Sequence, residues 1–189
     1  QHWPQWRSLS AHLNVKVGLL AEDSGGSSFD EACSLPWLRL SRAFPEAQIP
    51  LACLATTLEL GGQADTGRAE AIFHAEGILA FLAEQGLIKG QWPAPQHEPC
   101  EGVPFEGTEL LFAPHAGVIS YLRKAGDWVD KGEPIFEVID PLTDRVSIIC
   151  AGTSGVLFAV ERLRYAQAGF WLAKVAGREA LRHGRLLND

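Results

Sequence analysis

The chain has 189 residues, of which 47% are hydrophobic and 21% are charged, and its formal net charge is −7. This composition is typical of a folded globular chain, and the length allows one full domain or two small ones. The acidic balance argues against a nucleic-acid surface, which requires a basic patch. Because the sequence shows neither an apolar run of membrane-spanning length nor a secretory signal, we expect a cytoplasmic protein that binds neither membranes nor nucleic acid.

The first part of the chain predicts a strand followed by a helix. Residues 15–20 (VKVGLL) form an apolar run of strand length. Ser28 and Glu31 have the spacing of a capping box, in which each side chain accepts a bond from an orphan amide of the first turn. Pro36 suits the first turn of a helix that runs to Phe44, because the N–H that proline lacks would have no partner there.

A second strand and a second helix follow. Residues 51–58 (LACLATTL) are nearly all apolar, which predicts a strand buried on both faces. Residues 68–85 predict a helix that ends at Gly86. The expected apolar face of this helix consists of Ile72, Ala75, Leu79 and Leu82. This order of elements predicts the C-terminal part of an α/β domain.

The second half contains an internal repeat. Residues 113–122 (APHAGVISYL) match residues 151–160 (AGTSGVLFAV), and residues 132–138 (GEPIFEV) match residues 169–175 (GFWLAKV). Two such units, related by a pseudo-two-fold axis, are expected to share one core. The pattern resembles a flattened all-β barrel of the biotinyl/lipoyl type. The hairpin tip at residues 140–144 (DPLTD) has no lysine, however, so we do not expect a cofactor carrier.

These patterns divide the chain into four parts. Residues 1–90 are expected to be the α/β part and residues 91–106, which are rich in proline and glycine, a linker. Residues 107–178 are expected to form the barrel, and residues 179–189 a C-terminal tail. Since the chain starts without Met and two strands cannot complete an α/β/α sandwich, we interpret it as a piece of a longer protein.

Glu59 is the candidate catalytic residue. It follows the apolar run at residues 51–58, and active sites of open α/β sheets lie at the carboxyl edge of the strands. Burial there would raise the pKa of the carboxyl group and suit it to general acid–base chemistry. The alternative is a structural glutamate that pairs with Arg68. No histidine or cysteine spacing indicates a metal site, and His115 is interpreted as an ordinary turn residue.

Several longer strings carry a family resemblance. Residues 19–34 and residues 49–65 (IPLACLATTLELGGQAD), with the APHAGV and GDWVDKGEPI strings further on, resemble the succinylglutamate desuccinylase/aspartoacylase family. The resemblance implies a zinc carboxypeptidase-like catalytic domain that hydrolyses the amide bond of an N-acyl amino acid. It also implies that Glu59, in the motif Thr57-Leu58-Glu59-Leu60-Gly61, is the general base. The family's zinc ligands lie upstream of this segment, so the chain itself is expected to hold no metal ligands.

Two further expectations concern partners. The chain should act on a small-molecule N-acyl amino acid, and it should either form a homo-oligomer or associate with the missing N-terminal part. The competing hypothesis is a non-catalytic interaction or assembly module, since the predicted barrel lacks a carrier lysine.

Overall fold

The computed structural model describes residues 3–21, 24–25 and 28–183. The elements in chain order are α1 (Trp3–His12), β1 (Val17–Leu20), α2 (Phe29–Ala43), α3 (Arg68–Glu84), β2 (Glu101–Pro104), β3 (Thr108–Phe112), β4 (Gly117–Tyr121), β5 (Trp128–Val129), β6 (Pro134–Asp140), β7 (Arg145–Cys150), β8 (Gly155–Val160), β9 (Tyr165–Ala166) and β10 (Trp171–Gly177). Single 3₁₀ turns cover Pro45–Ala47 and Phe105–Gly107. The chain forms two compact units, and the second comprises residues 19–21 together with the part of the chain that follows residue 101. Strands β1 and β2 pair in a small two-stranded sheet.

The first unit is mainly helical, and α1 packs against α3. Its core consists of Leu9, Leu13 and Phe81. Gly77 lies where the two elements approach most tightly, because a Cβ at this position would lie 2.8 Å from the carbonyl oxygen of His12. The bounds of α3 confirm the predicted helix, but the predicted apolar face is wrong. Gly77, Ala80 and Phe81 are the buried residues of α3, and a glycine gives no signal in an apolar pattern.

The predicted strand at residues 51–58 is wrong. The structure forms no strand over these residues, and Leu54 and Leu60 are exposed. An apolar run becomes a strand only where a neighbouring strand accepts its backbone hydrogen bonds. Among the described residues of the first unit, no strand lies beside this segment. The expected sandwich of buried strand and covering helices is therefore not formed.

The start of α2 also differs from the prediction. The helix begins at Phe29, so Pro36 lies inside it and not in its first turn. Ser28 is the N-cap residue, but its side chain makes no capping hydrogen bond. The carboxylate of Glu31 accepts hydrogen bonds from the backbone N–H and the hydroxyl of Ser24, at 2.9 and 2.6 Å. The capping-box prediction is therefore wrong, because Glu31 binds the preceding loop instead.

The second unit consists of two antiparallel four-stranded sheets. One sheet has the order β3-β10-β8-β5 and the other the order β7-β6-β4-β9. The buried side chains of both sheets form one apolar cluster, whose largest fully buried members are Phe136, Ile135, Leu157 and Leu172. This cluster is the shared core that the repeat predicts.

The internal repeat is confirmed by strand order and by hydrogen bonds. Strands β3, β4, β5 and β6 correspond to β7, β8, β9 and β10 at an offset of 37 or 38 residues. The order β7-β6-β4-β9 in one sheet therefore corresponds, strand by strand, to the order β3-β10-β8-β5 in the other. Gly132 donates its N–H to the carbonyl of Ala151 at 2.7 Å, and Gly169 donates to the carbonyl of Ala113 at 2.8 Å. Both glycines have positive φ, at 87° and 79°. Each repeat unit therefore uses the same turn to contact the other.

The fold class expected from the sequence is wrong in both parts. In place of a partial α/β sandwich followed by a separate all-β barrel, the chain is an α/β structure with antiparallel sheets. Each four-stranded sheet ends in two edge strands, and no closed barrel forms in the described part of the chain. A repeat sequence specifies the strands and their turns, but closure depends on whether the edge strands of the two sheets pair, which spacing does not encode.

Candidate functional site

The segment that carries Glu59 is anchored to the helices of the first unit. The indole Nε1 of Trp6, on α1, donates a hydrogen bond to the hydroxyl of Thr56 at 2.9 Å. Leu58 packs against the cluster formed by α1 and α3. Thr57 and Glu59, which flank Leu58, are exposed. Two inward side chains thus fix the backbone and leave the Glu59 carboxylate in solvent.

A tight turn follows Glu59. Gly61 has a φ of +116°, a conformation that side chains rarely adopt, so glycine is favoured there. The N–H of Gly62 donates to Asp65 Oδ2 at 2.7 Å, and the Asp65 N–H donates to the Gly62 carbonyl at 3.0 Å. Asp65 therefore closes the turn that ends the Thr57–Gly61 motif. The sequence analysis gave no role to Asp65.

The surroundings of Glu59 differ from those predicted. The side chain is exposed and does not lie at the end of a buried strand, so the expected burial is missing. No ion pair joins Glu59 to Arg68 within residues 3–21, 24–25 and 28–183, so the structural alternative is not formed either. Glu59 is a carboxylate on a well-anchored loop, accessible to water and to a ligand.

The described residues do not form a zinc site. No group of three or more histidine, cysteine, aspartate or glutamate side chains converges among them. Catalytic zinc requires three protein ligands and an open position. His2 lies outside the described residues. All four cysteines are free, and Cys33 and Cys150 are exposed whereas Cys100 is buried.

A polar cluster joins α1 to α3. The hydroxyl of Ser8 donates to the Glu84 carboxylate at 2.7 Å, and His12 Nε2 lies 2.9 Å from Glu84 Oε2. The hydrogen bond from Ser8, followed by that from His12, holds the pKa of Glu84 below its ordinary value. Ser8 contacts the glutamate and not the imidazole, so His12 cannot act as its general base. The cluster joins two helices and does not form a nucleophilic triad.

A cavity of about 810 Å³ opens beside this cluster. Its lining consists of Ser8, His12, Ala80, Ala83, Glu84 and residues 90–95. The carboxylate oxygens of Glu84 are already occupied by Ser8 and His12. Because 72 residues separate His12 from Glu84, no motif search along the sequence could have found this contact.

His115 contacts a serine in the second unit. Its Nδ1 lies 2.9 Å from the Ala116 carbonyl and its Nε2 lies 3.0 Å from the Ser147 hydroxyl. At the equivalent position of the repeat, the carboxylate of Glu109 accepts a hydrogen bond from the Gly152 N–H at 2.9 Å. In both repeat units, a side chain thus links a turn to an edge strand by a hydrogen bond, to β7 in one case and to β3 in the other. We therefore assign His115 a structural role.

Three solved structures resemble this chain over most of its length. A succinylglutamate desuccinylase/aspartoacylase family protein from Shewanella amazonensis aligns with a TM-score of 0.79 at 26% identity, over 90% of this chain and 48% of that chain. A succinylglutamate desuccinylase/aspartoacylase from Shewanella frigidimarina aligns with a TM-score of 0.77 at 23% identity, over 90% and 48%. The ectoine utilization protein EutE (DoeB) from Ruegeria pomeroyi aligns with a TM-score of 0.65 at 19% identity, over 93% and 51%.

The two Shewanella neighbours of this chain are desuccinylase/aspartoacylase proteins. They support the family resemblance that the sequence motifs suggested, and the fold matches theirs. The chain spans about half the length of these neighbours. No family model and no curated protein matches the sequence. In the described part of the chain, no helix is both long and apolar enough to cross a bilayer.

Proposed function

We propose that this chain is part of a hydrolase that cleaves the amide bond of an N-acyl amino acid. The proposal rests above all on the similarity to the Shewanella amazonensis protein over 90% of the chain. The motif at Thr57–Gly61 supports it, because it places a carboxylate on a loop that two inward side chains anchor. The acyl group, the amino acid and the activity of the whole protein are part of this proposal.

Glu59 is proposed as the general base. Its carboxylate takes a proton from the attacking water while the water oxygen bonds to the amide carbonyl carbon. The C–N bond then breaks, and the same proton passes to the leaving nitrogen, which gives a free amino acid and a carboxylic acid that then loses its proton to water. Zinc is proposed as the cofactor of the whole protein, with ligands outside the described residues. The described residues offer no ligand set for it.

The test is hydrolysis of N-succinylglutamate and N-acetylaspartate by the whole protein and its Glu59→Gln variant. Replacement of a general base by an amide should lower kcat about 10²- to 10⁴-fold with a small change in KM. Glu46→Gln provides the control, since Glu46 is an exposed glutamate on another turn of the first unit. A Glu59→Gln variant that keeps near-normal kcat would overturn the assignment. Absence of hydrolysis in the unmodified protein would favour the non-catalytic interaction module.

A further inference from the structure

The side chain of Trp6 lies between Gly18 and the segment that contains Glu59. Trp6 belongs to α1, and its indole Nε1 donates a hydrogen bond to the Thr56 hydroxyl at 2.9 Å. The six-membered ring of the indole lies against Gly18, because a Cβ at that position would be 2.4 Å from Cη2 of Trp6. Gly18 is a buried residue of β1, and a glycine inside a strand often marks the close approach of another group. The indole is therefore fixed on both sides.

The Thr56 hydroxyl connects the indole to the backbone of the Thr57–Gly61 motif. Tryptophan can only donate a hydrogen bond, whereas a hydroxyl both accepts and donates. The Thr56 hydroxyl accepts from Trp6 and donates to the carbonyl of Thr57 at 3.4 Å. The two hydrogen bonds therefore lead from a side chain of α1 to a backbone carbonyl that lies within the motif.

The path from this contact to Glu59 is short. Thr56 precedes Glu59 by three residues, so their Cα atoms lie at most about 11 Å apart. Between them, Leu58 packs against the cluster formed by α1 and α3, while Glu59 itself is exposed. A change in the backbone at Thr56 should therefore also move the Glu59 carboxylate. A misplacement of about 1 Å can lower the rate of an enzyme about 10²-fold.

We propose that Trp6 is a positioning residue for the Glu59 carboxylate. It acts through Thr56, whose hydroxyl fixes the backbone before Glu59, and it is not assigned any contact with the substrate. A tryptophan suits this role because only two side-chain torsions have to be fixed to hold a large ring in place. The inference rests on the general-base role proposed above for Glu59.

The main test replaces the acceptor of the indole N–H in the whole protein. Thr56→Val removes the hydroxyl and keeps the shape of the side chain. For the N-acyl amino acid that the unmodified protein hydrolyses, we expect kcat to fall about 10- to 100-fold with a small change in KM. Thr56→Ser keeps a hydroxyl, so its kcat should stay within about threefold of the unmodified value.

A second pair of variants changes the donor. Trp6→Phe keeps an aromatic ring but has no N–H, and its kcat should fall as far as that of Thr56→Val. Trp92→Phe, which changes an exposed tryptophan of the same unit, is the matched control and should keep its kcat. If Trp6→Phe fails to fold, the comparison of Thr56→Val with Thr56→Ser still decides the matter.

Combined variants show whether these residues act through Glu59. Trp6→Phe together with Thr56→Val should lower kcat no further than the larger single loss, because both changes remove the same hydrogen bond. Added to Glu59→Gln, Thr56→Val should lower kcat by less than about a further twofold, because the carboxylate that it positions is already absent.

The indole N–H resonance of Trp6 in the ¹⁵N-labelled whole protein reports the hydrogen bond directly. It should shift and exchange faster with solvent in Thr56→Val. An unchanged resonance, equal losses in Thr56→Ser and Thr56→Val, or a near-normal kcat of Thr56→Val while Glu59→Gln is inactive would overturn the positioning role and leave the proposed function intact. A near-normal kcat of Glu59→Gln, or no hydrolysis by the unmodified protein, would overturn both.

Discussion

At the scale of single residues, glycines determine how closely the elements of this chain approach. Gly77 permits α3 to lie against the end of α1, and its absent side chain leaves room for a backbone carbonyl. A glycine inside a helix ordinarily costs about 1 kcal/mol relative to alanine. Its presence in α3 is therefore explained by packing and not by helix propensity.

Replacing Gly77 by alanine should destabilise the first unit. The new Cβ would lie 2.8 Å from the carbonyl oxygen of His12 and from the Leu13 side chain. The backbone oxygen cannot move without displacing α1, so we expect a net loss of about 1–3 kcal/mol despite the better helix propensity of alanine. Urea unfolding followed by circular dichroism measures the change. Ala75→Leu, on an exposed position of α3, is the control, and an equal effect of both variants would contradict the packing argument.

At the scale of elements, the helix that was predicted from a local pattern is confirmed, whereas the strand whose formation depends on a neighbouring strand is wrong. The pattern at residues 68–85 predicted α3 because helix hydrogen bonds are local. The run at residues 51–58 has the composition of a buried strand, but no strand among the described residues pairs with it. Glu59 lies after this run and before the turn at Gly61 and Gly62, and not at the end of a buried strand as predicted. The Thr56 anchor depends on Trp6 of α1, which is 50 residues away in sequence, so it could not be read from spacing.

Because Glu84 on α3 contacts Ser8 and His12 on α1, the stability of the packing between these two helices should depend on pH. The folded-state pKa of Glu84 is lowered, so the ionised carboxylate stabilises the fold above its unfolded pKa of about 4.3, and this stabilisation is lost as the pH falls through the lower folded value. The stability difference between the unmodified chain and Glu84→Gln should therefore shrink between pH 7 and pH 3.

Urea unfolding at a series of pH values measures this difference. Glu76→Gln, which changes an exposed glutamate on the same helix, is the control. A difference for Glu84→Gln that stays constant down to pH 3 would rule out ionisation of Glu84 as its cause.

At the scale of the whole molecule, one repeated pattern produces two sheets with different surroundings. The sequence predicted the repeat and its shared core because glycine turns and alternating apolar residues recur 37 or 38 residues apart. It did not predict that equivalent positions would differ in exposure, as the exposed Val146 on β7 and the buried Thr108 on β3 do.

The pseudo-symmetry makes a matched pair of substitutions possible. A Cβ on Gly117 would lie 2.5 Å from the Ile139 carbonyl oxygen, and a Cβ on the equivalent Gly155 would lie 2.1 Å from the Ala176 carbonyl oxygen. Both oxygens belong to central strands whose ladders flank them on each side, so neither can move without breaking hydrogen bonds. Gly117→Ala and Gly155→Ala should each cost about 2–3 kcal/mol of unfolding free energy.

Gly132→Ala measures the cost of an unfavourable backbone conformation in the absence of a steric clash. A Cβ at Gly132 would meet nothing within 4 Å, although its φ of +87° disfavours alanine. We expect a smaller loss, about 1–2 kcal/mol, from the conformational term alone. Chemical denaturation of the three variants, followed through tryptophan fluorescence, tests this order. Because one core joins both sheets, the two crowded glycines should give similar losses. A loss at only one of them would show that the two halves of the repeat do not share the same packing constraint.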